Sequence, residues 1–323
     1  MRGKSLLAGL VGCVVAAALL VAAFQRAGGI RFVAPLISVP PTTLLLALVC
    51  EATVQSGKAW KWSGLLAGLR PERRPSFGSA LRAVLVGGMA TQVIPLRLDE
   101  VLRARVLSQR EGLPIAAVLG TVALDRAVEI AVLGSLLGVV AAFGGLPGPL
   151  LLAVRVAMVA GTLVLGGIGA ALLLDHRLPL NSARRGLSRL RPHLRQLVSG
   201  LKTLPRGGDL LRVMSGTAAE WAATVAMYVA ILQGLGHVVR PVVPLALSVG
   251  GAAAYGVPNV PGAIGTYEAA QVGLLEQLVG LPPADALAAA LLCHAILTIP
   301  ITVAGALVLA TSWIPRGPRA PAP

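Results

Sequence analysis

The chain has 323 residues, of which 56% are hydrophobic, 13% charged and 3% aromatic, with a mean hydropathy of +0.81. Soluble domains carry about 25% charged residues, so this composition excludes an ordinary soluble domain and intrinsic disorder. Three scattered cysteines (Cys13, Cys50, Cys293) exclude a disulfide scaffold. What remains is an integral membrane protein whose net charge of +15 needs an explanation.

A helix needs about 20 apolar residues to cross the hydrocarbon core. The candidate runs are 5–24, 40–57, 78–96, 115–143, 149–174, 211–236, 242–257 with 266–279, and 284–313. The first follows Arg2 and Lys4. Its apolar stretch, Leu6 to Phe24, is longer than the usual core of a signal peptide, so it reads as a retained span. A signal peptide with a weak cleavage site at Val21-Ala22-Ala23 is the competing reading. In 78–96, Gly87-Gly88 weakens the helix and Pro95 ends it. In 175–212, Leu187, Leu190, Leu194, Leu197 and Leu201 recur at helical spacing among arginines. That pattern predicts an amphipathic helix on the inner leaflet, interrupted at Pro192. Between Val257 and Gly265 two prolines and two glycines break the segment 242–279. Such backbone is tolerated at membrane depth only where it is buried in protein or lines a cavity. Residues 316–323 read as a disordered Pro-rich tail.

Basic residues orient the chain. Nine Lys and Arg fall in 175–212, six in 58–82 and four in 97–111, against none in 144–148 and only Arg240 in 237–241. The first three segments are therefore expected in the cytoplasm. A full crossing by 78–96 would put one basic loop outside, so this segment is expected to enter and return; an ordinary span with a charge violation is the alternative. The segment 242–279 is expected to do the same from the outer side. The predicted fold is an all-α polytopic membrane protein with about six full transmembrane helices plus two broken or re-entrant segments. Both termini are expected in the cytoplasm, and the membrane is expected to be the inner membrane of a prokaryote.

The polar residues contain a repeat. Glu100 and Glu268 are 168 positions apart, as are Arg126 and His294, and Gly112-Leu113-Pro114 and Gly280-Leu281-Pro282, while Glu51 and Glu220 are 169 apart. These pairs define units 40–143 and 211–313, which the charge pattern orients oppositely. Inverted repeats with broken helices are a common build of secondary transporters, with the site at the repeat interface. Glu51, Arg126, Glu220 and His294 each lie roughly 15–18 Å along their spans at about 1.5 Å per residue. An ionisable group at that depth is a functional candidate by default. For Asp125 and Glu129, simple neutralisation of Arg126 is the plainer competing reading, and for His294 it is a hydrogen bond to a neighbouring carbonyl.

Three motifs resemble a known family. They are Pro95-Leu96-Arg97-Leu98-Asp99-Glu100-Val101-Leu102-Arg103, Leu124-Asp125-Arg126-Ala127-Val128-Glu129, and Pro258-Asn259-Val260-Pro261-Gly262-Ala263-Ile264-Gly265-Thr266-Tyr267-Glu268. They resemble the flippase-like membrane domain of lysylphosphatidylglycerol synthases, over about residues 5–313. The chain departs at Asp99 and Ala263, where the family usually has Gly, and in the order of the acids at Asp125 and Glu129. The resemblance implies one flippase-like domain over 1–315 and a translocase that moves a phospholipid or aminoacyl-phospholipid head group through a polar groove. Fused members carry a soluble aminoacyl-transferase domain, for which the ten residues after Trp313 leave no room. A separate lipid-synthesising enzyme is therefore an expected partner, beside anionic or aminoacylated phospholipids.

The candidate substrate-binding residues are Glu51, Arg97, Glu100, Arg103, Asp125, Arg126, Glu129, Glu220, Asn259, Gly262, Gly265, Glu268 and His294. Arg126, with Arg97 and Arg103, is expected to bind phosphate, helped by backbone N–H groups at the helix start after Gly262–Gly265. Glu51, Glu220 and Glu268 are expected to receive a cationic head group or protons. The sequence has no His-Glu-x-x-His, no Gly-x-Ser-x-Gly, no Walker loop and no clustered Cys or His ligands. No catalysis, cofactor or metal is therefore expected. The basic segment 175–212 has no aromatic residue, which argues against nucleic acid. A membrane-embedded enzyme or subunit acting on lipid or polyprenyl-phosphate, and a non-transporting scaffold, are the alternatives.

Overall fold

The computed structural model describes residues 17–69, 74–94, 99–143, 207–255 and 261–313, with Val14 and scattered positions between 148 and 205. Arg97, Asn259, residues 175–195, the tail 316–323 and most of 149–174 lie outside the described residues, and so do the expectations placed on them.

Helix α1 (Ala17–Arg26) does not continue straight. Gly28 and Gly29 both take φ of +71°, and the chain bends by 84° into Gly29–Ile37, whose last turn and a half is α2 (Val33–Ile37). Proline opens α3 (Pro41–Leu66), where its missing N–H costs nothing. Ser76 caps α4 (Phe77–Val93) by accepting the Ser79 N–H. Asp99 and Glu100 in the first turn of α5 (Asp99–Glu111) and Arg110 in its last complement the helix dipole. Then follow α6 (Ile115–Phe143), α7 (Gly208–Gly234), α8 (Val242–Tyr255), a 3-10 turn (Pro261–Ala263), α9 (Thr266–Val279) and α10 (Pro283–Trp313). The described residues form an all-α membrane protein. By length and apolarity, Ile115–Phe143 and Pro283–Thr311 are long enough to span alone. Helices α3 and α7 reach 26 and 27 residues but carry charges that they bury against the protein.

Contacts between helices fix their relative directions. Thr91 bonds Asp99, Gly87 abuts Arg103 and Ser79 bonds Arg110, so α5 runs back along α4 as an antiparallel hairpin. Gly251 abuts Tyr267 and Gln271, and Gln271 donates to the Leu247 carbonyl, so α8 and α9 form a second antiparallel hairpin. Arg103–Asp125 and Glu100–Arg126 pairs set α6 antiparallel to α5. Contacts of Gly88 with Ile301 and of Gly305 with Leu85 set α10 antiparallel to α4. Along α3 and α7, contacts from Thr43–Gly234 to Gly64–Asp209 also run in opposite senses. Helix α7 thus runs opposite to α3, and α10 runs opposite to both α4 and α6. The glycine pair expected to weaken α4 instead gives close packing. A Cβ on Gly87 would lie 3.0 Å from the Arg103 Cβ, and one on Gly88 would lie 1.9 Å from the Ile301 Cδ1.

Helices α3 and α7 make the most extensive contact in the molecule. At Gly57 and Gly216 their backbones meet: a Cβ on Gly216 would lie 2.6 Å from the Lys61 nitrogen, and one on Gly57 would lie 2.9 Å from the Gly216 oxygen. Small residues at such crossings let helices gain dispersion contact where lipid supplies no hydrophobic drive. Outward faces are apolar, as at Leu45, Leu46, Leu48 and Val49 on α3.

One end of the molecule gathers the segments expected in the cytoplasm. Arg74 Nη1 pairs with Asp209 Oδ1 at 2.8 Å, Gly68 abuts Thr203, and Gly200 abuts the Ala117 carbonyl. The opposite end holds the Arg26–Glu276 pair at 3.3 Å and the His237–Asp285 contact at 3.8 Å.

Candidate functional site

A cavity of about 490 Å³ lies between the two sets of helices. Its wall takes Glu51, Gln55 and Lys58 from α3, Thr91 and Gln92 from α4, and Asp99 and Glu100 from α5. Helix α6 adds Arg126 and Glu129, α7 adds Glu220 and Thr224, and α8 adds Ser248 and Tyr255. Of the expected site residues, Glu51, Glu100, Arg126, Glu129 and Glu220 therefore come together on one cavity.

Lys61 organises the charges behind that wall. It is 1% exposed, and its ammonium stands 3.0 Å from Glu220 Oε2, 3.1 Å from Glu129 Oε1 and 3.2 Å from Asp125 Oδ1. Sequence reading counted Lys58 and Lys61 as loop cations after a span ending at residue 57. The structure corrects this, because α3 runs on to Leu66, burying Lys61 and placing Lys58 on the cavity wall. The missed signal was present: Glu51, Gln55 and Lys58 recur at helical spacing, continuing one polar stripe past the supposed boundary.

Arg103 is not placed to bind a ligand. It is 8% exposed, its Nη2 donates to Asp125 Oδ2 at 2.9 Å, and its guanidinium stacks 3.9 Å over the Trp62 ring. Arg103 and Asp125 do not line the cavity; with Lys61 they form a buried alternation of charge behind it. Arg126 does line it, its side chain 38% exposed. Its Nε donates to Glu100 Oε1 at 2.8 Å and its Nη1 donates to Glu129. Glu51 is 2% exposed, accepts from Gln55 Nε2 at 2.6 Å through Oε1, and buries its Oε2 without a hydrogen-bond partner.

The second hairpin carries the remaining candidates. His294 contacts Glu268 through Nδ1 and lies 2.7 Å from the Gly262 carbonyl through Nε2. Glu268 Oε2 accepts the Gly265 N–H at 2.6 Å. That N–H, expected to cradle a phosphate, is thus satisfied within the chain. Gly262 takes φ of +61° and presses on Gln92, where a Cβ would lie 2.9 Å from the Gln92 Oε1, so the second hairpin's tip meets α4 of the first. Gly262, Glu268 and His294 border a second cavity of about 290 Å³, and Gln92 lines both cavities. The aligned pairs of the sequence thus make like contacts: Arg126 with Glu100, and His294 with Glu268.

The described residues, all-α with apolar outer faces and a charged internal cavity, define a multi-pass membrane protein with a polar interior site. Residues 9–305 match the family described as the lysylphosphatidylglycerol synthase TM region, and the chain belongs to that family. It is also similar to a protein named Glycosyltransferase AglD from Haloferax volcanii, 29% identical over 262 residues, covering 69% of this chain and 42% of that protein. The chain thus spans less than half of this relative. No solved structure matches it.

Proposed function

We propose that the protein is a lipid translocase that moves a phospholipid or aminoacyl-phospholipid head group through the cavity between its two sets of helices while the acyl chains stay in the bilayer. In this reading α3, α6, α7, α10 and two spans nearer the undescribed regions cross the membrane. The two hairpins then enter from opposite sides as members of inverted repeats 40–143 and 211–313. The observation that carries the reading is the 490 Å³ cavity, walled by Arg126, Lys58 and four glutamates, in a molecule whose outer faces are apolar. A charge at the bilayer centre costs at least ~2.5 kcal/mol, so a cluster of them facing a void marks a path for polar groups. Arg126 and Lys58 supply donors for a phosphate, and Glu51 and Glu220 supply acceptors for a cationic head group.

The test is the sidedness of labelled lipid in vesicles reconstituted with the full chain. Phosphatidylglycerol and a cationic-headed lipid are expected to equilibrate across the bilayer. Arg126→Ala is expected to slow this at least tenfold. Vesicles in which neither lipid moves faster than in protein-free controls would refute the reading. The relative's name favours a second reading, an enzyme or enzyme subunit acting on lipid. Mass spectrometry separates the two: a translocase leaves its lipids chemically unchanged.

A further inference from the structure

The surroundings of His294 fix how many protons it needs. A carbonyl oxygen only accepts, so the contact of Nε2 with the Gly262 carbonyl requires a hydrogen on Nε2. The contact of Nδ1 with Glu268 Oε1 requires a second hydrogen, carried by the ring or by the carboxyl. A neutral ring facing a carboxylate has only one. Losing a single proton therefore severs one of the two contacts, either to the Gly262 carbonyl or to Glu268. The matching pair in the other half, Arg126 with Glu100, has no such choice, because a guanidinium keeps its proton.

The groups around the pair are few. Tyr267 of α9 lies 4.5 Å from the imidazole, ring centre to ring centre, and Tyr255 of α8 lies 6.0 Å away. Tyr228 of α7 stands behind Tyr267, their hydroxyls 2.6 Å apart. Helix α4 presents the uncharged Gln92, α10 itself adds the neighbouring Cys293, and α3 places Glu51 in the wall of the larger cavity. Among the described residues no Lys or Arg is paired with either partner. Both residues are within a tenth of full burial, 3% and 6% exposed, yet both border the smaller cavity.

We propose that Glu268 and His294 form a proton-binding site whose occupancy locks the tip of the second hairpin, and which makes the translocation suggested above proton-linked. With the proton bound, the pair holds Gly262 from α10 and Gly265 through Glu268, and the tip stays against Gln92 between the two cavities. Release passes the shared proton to water in the smaller cavity. The one N–H left on the ring goes to the Glu268 carboxylate through Nδ1, the stronger, charge-assisted partner. The Gly262 carbonyl then loses its donor and the tip is freed. The regulation rests on the translocase reading; the proton site does not.

Hydrogen–deuterium exchange of the full chain in nanodiscs, from pH 5 to 9 and corrected for intrinsic exchange, tests the site. Protection of residues 261–268 is expected to fall at least tenfold as pH rises. Glu268→Gln is expected to abolish that fall, because its amide donates to Nδ1 of a neutral ring, still accepts the Gly265 N–H, and cannot ionise. His294→Arg, which copies the non-titrating pair of the other half, is expected to do the same. Flat protection in the wild type, or an unchanged fall in both variants, overturns the site. Lipid movement with one rate from pH 5 to 9 overturns the linkage and leaves the translocase reading intact. Absent movement with pH-dependent protection refutes the translocase and supports the proton site.

Discussion

Lys61 on α3 holds Glu220 on α7 at 3.0 Å, joining two antiparallel helices across 159 positions of sequence. The same ammonium serves Glu129 and Asp125 on α6, so one cation neutralises carboxylates from both halves of the molecule.

Lys61→Met is therefore expected to be severe. Removing one partner of a buried ionic cluster leaves uncompensated charge at about 3–5 kcal/mol, and here three carboxylates lose it together. Thermal unfolding in detergent should show a large loss of stability. Glu220→Gln, which keeps the Lys61 partners on α6, should lose much less. Equal losses would contradict the shared-cation arrangement.

Arg126 should behave differently from Arg103. Arg103→Ala removes a cation stacked on Trp62 and paired to buried Asp125, so its main effect is expected on folding. Arg126→Ala opens a wall of the cavity where the side chain is already 38% exposed, so the melting temperature should move little while lipid movement falls. Melting curves and lipid-sidedness assays on the two variants should separate in opposite directions.

The Gly57–Gly216 crossing predicts a size threshold. Gly216→Ala forces apart backbones that leave 2.6 Å for a new Cβ. Overpacking typically costs about 1–3 kcal/mol. Gly236→Ala, at a turn with open space but φ of +84°, should cost about 1 kcal/mol through backbone strain alone. Thermal shifts of the two purified variants check the ranking.

The Arg74–Asp209 pair predicts sidedness. Tags inserted beside Ser76 and beside Gly207 should be accessible from the same face of the membrane, the cytoplasmic one by the charge rule. Accessibility from opposite faces would break the inverted arrangement.

Much of this was legible beforehand. A constant offset of 168 positions aligned Glu100 with Glu268 and Arg126 with His294, and both acid–base contacts form. The helices at 115–143 and 266–279 begin and end where apolar runs and Gly/Pro punctuation said, while the run expected over 242–257 is helical over Val242–Tyr255. What escaped was depth on α3. Lys61 looked like a surface cation because hydropathy averages over a helix, whereas a buried Lys is tolerated only through partners distant in sequence. The roles of Gly87 and Gly88 escaped for the same reason: whether a glycine loosens a helix or seats a neighbour depends on Arg103 and Ile301, which local sequence does not reveal.

The bare contact between Gly57 and Gly216 has a mechanical consequence. With no side chain interposed, α3 and α7 can tilt about this point but cannot slide along each other, since neighbouring Cβ atoms would collide within one residue step. The crossing is therefore a fulcrum. In the translocase reading proposed above, a pivot at this crossing would open the cavity at one end of the bundle while narrowing it at the other.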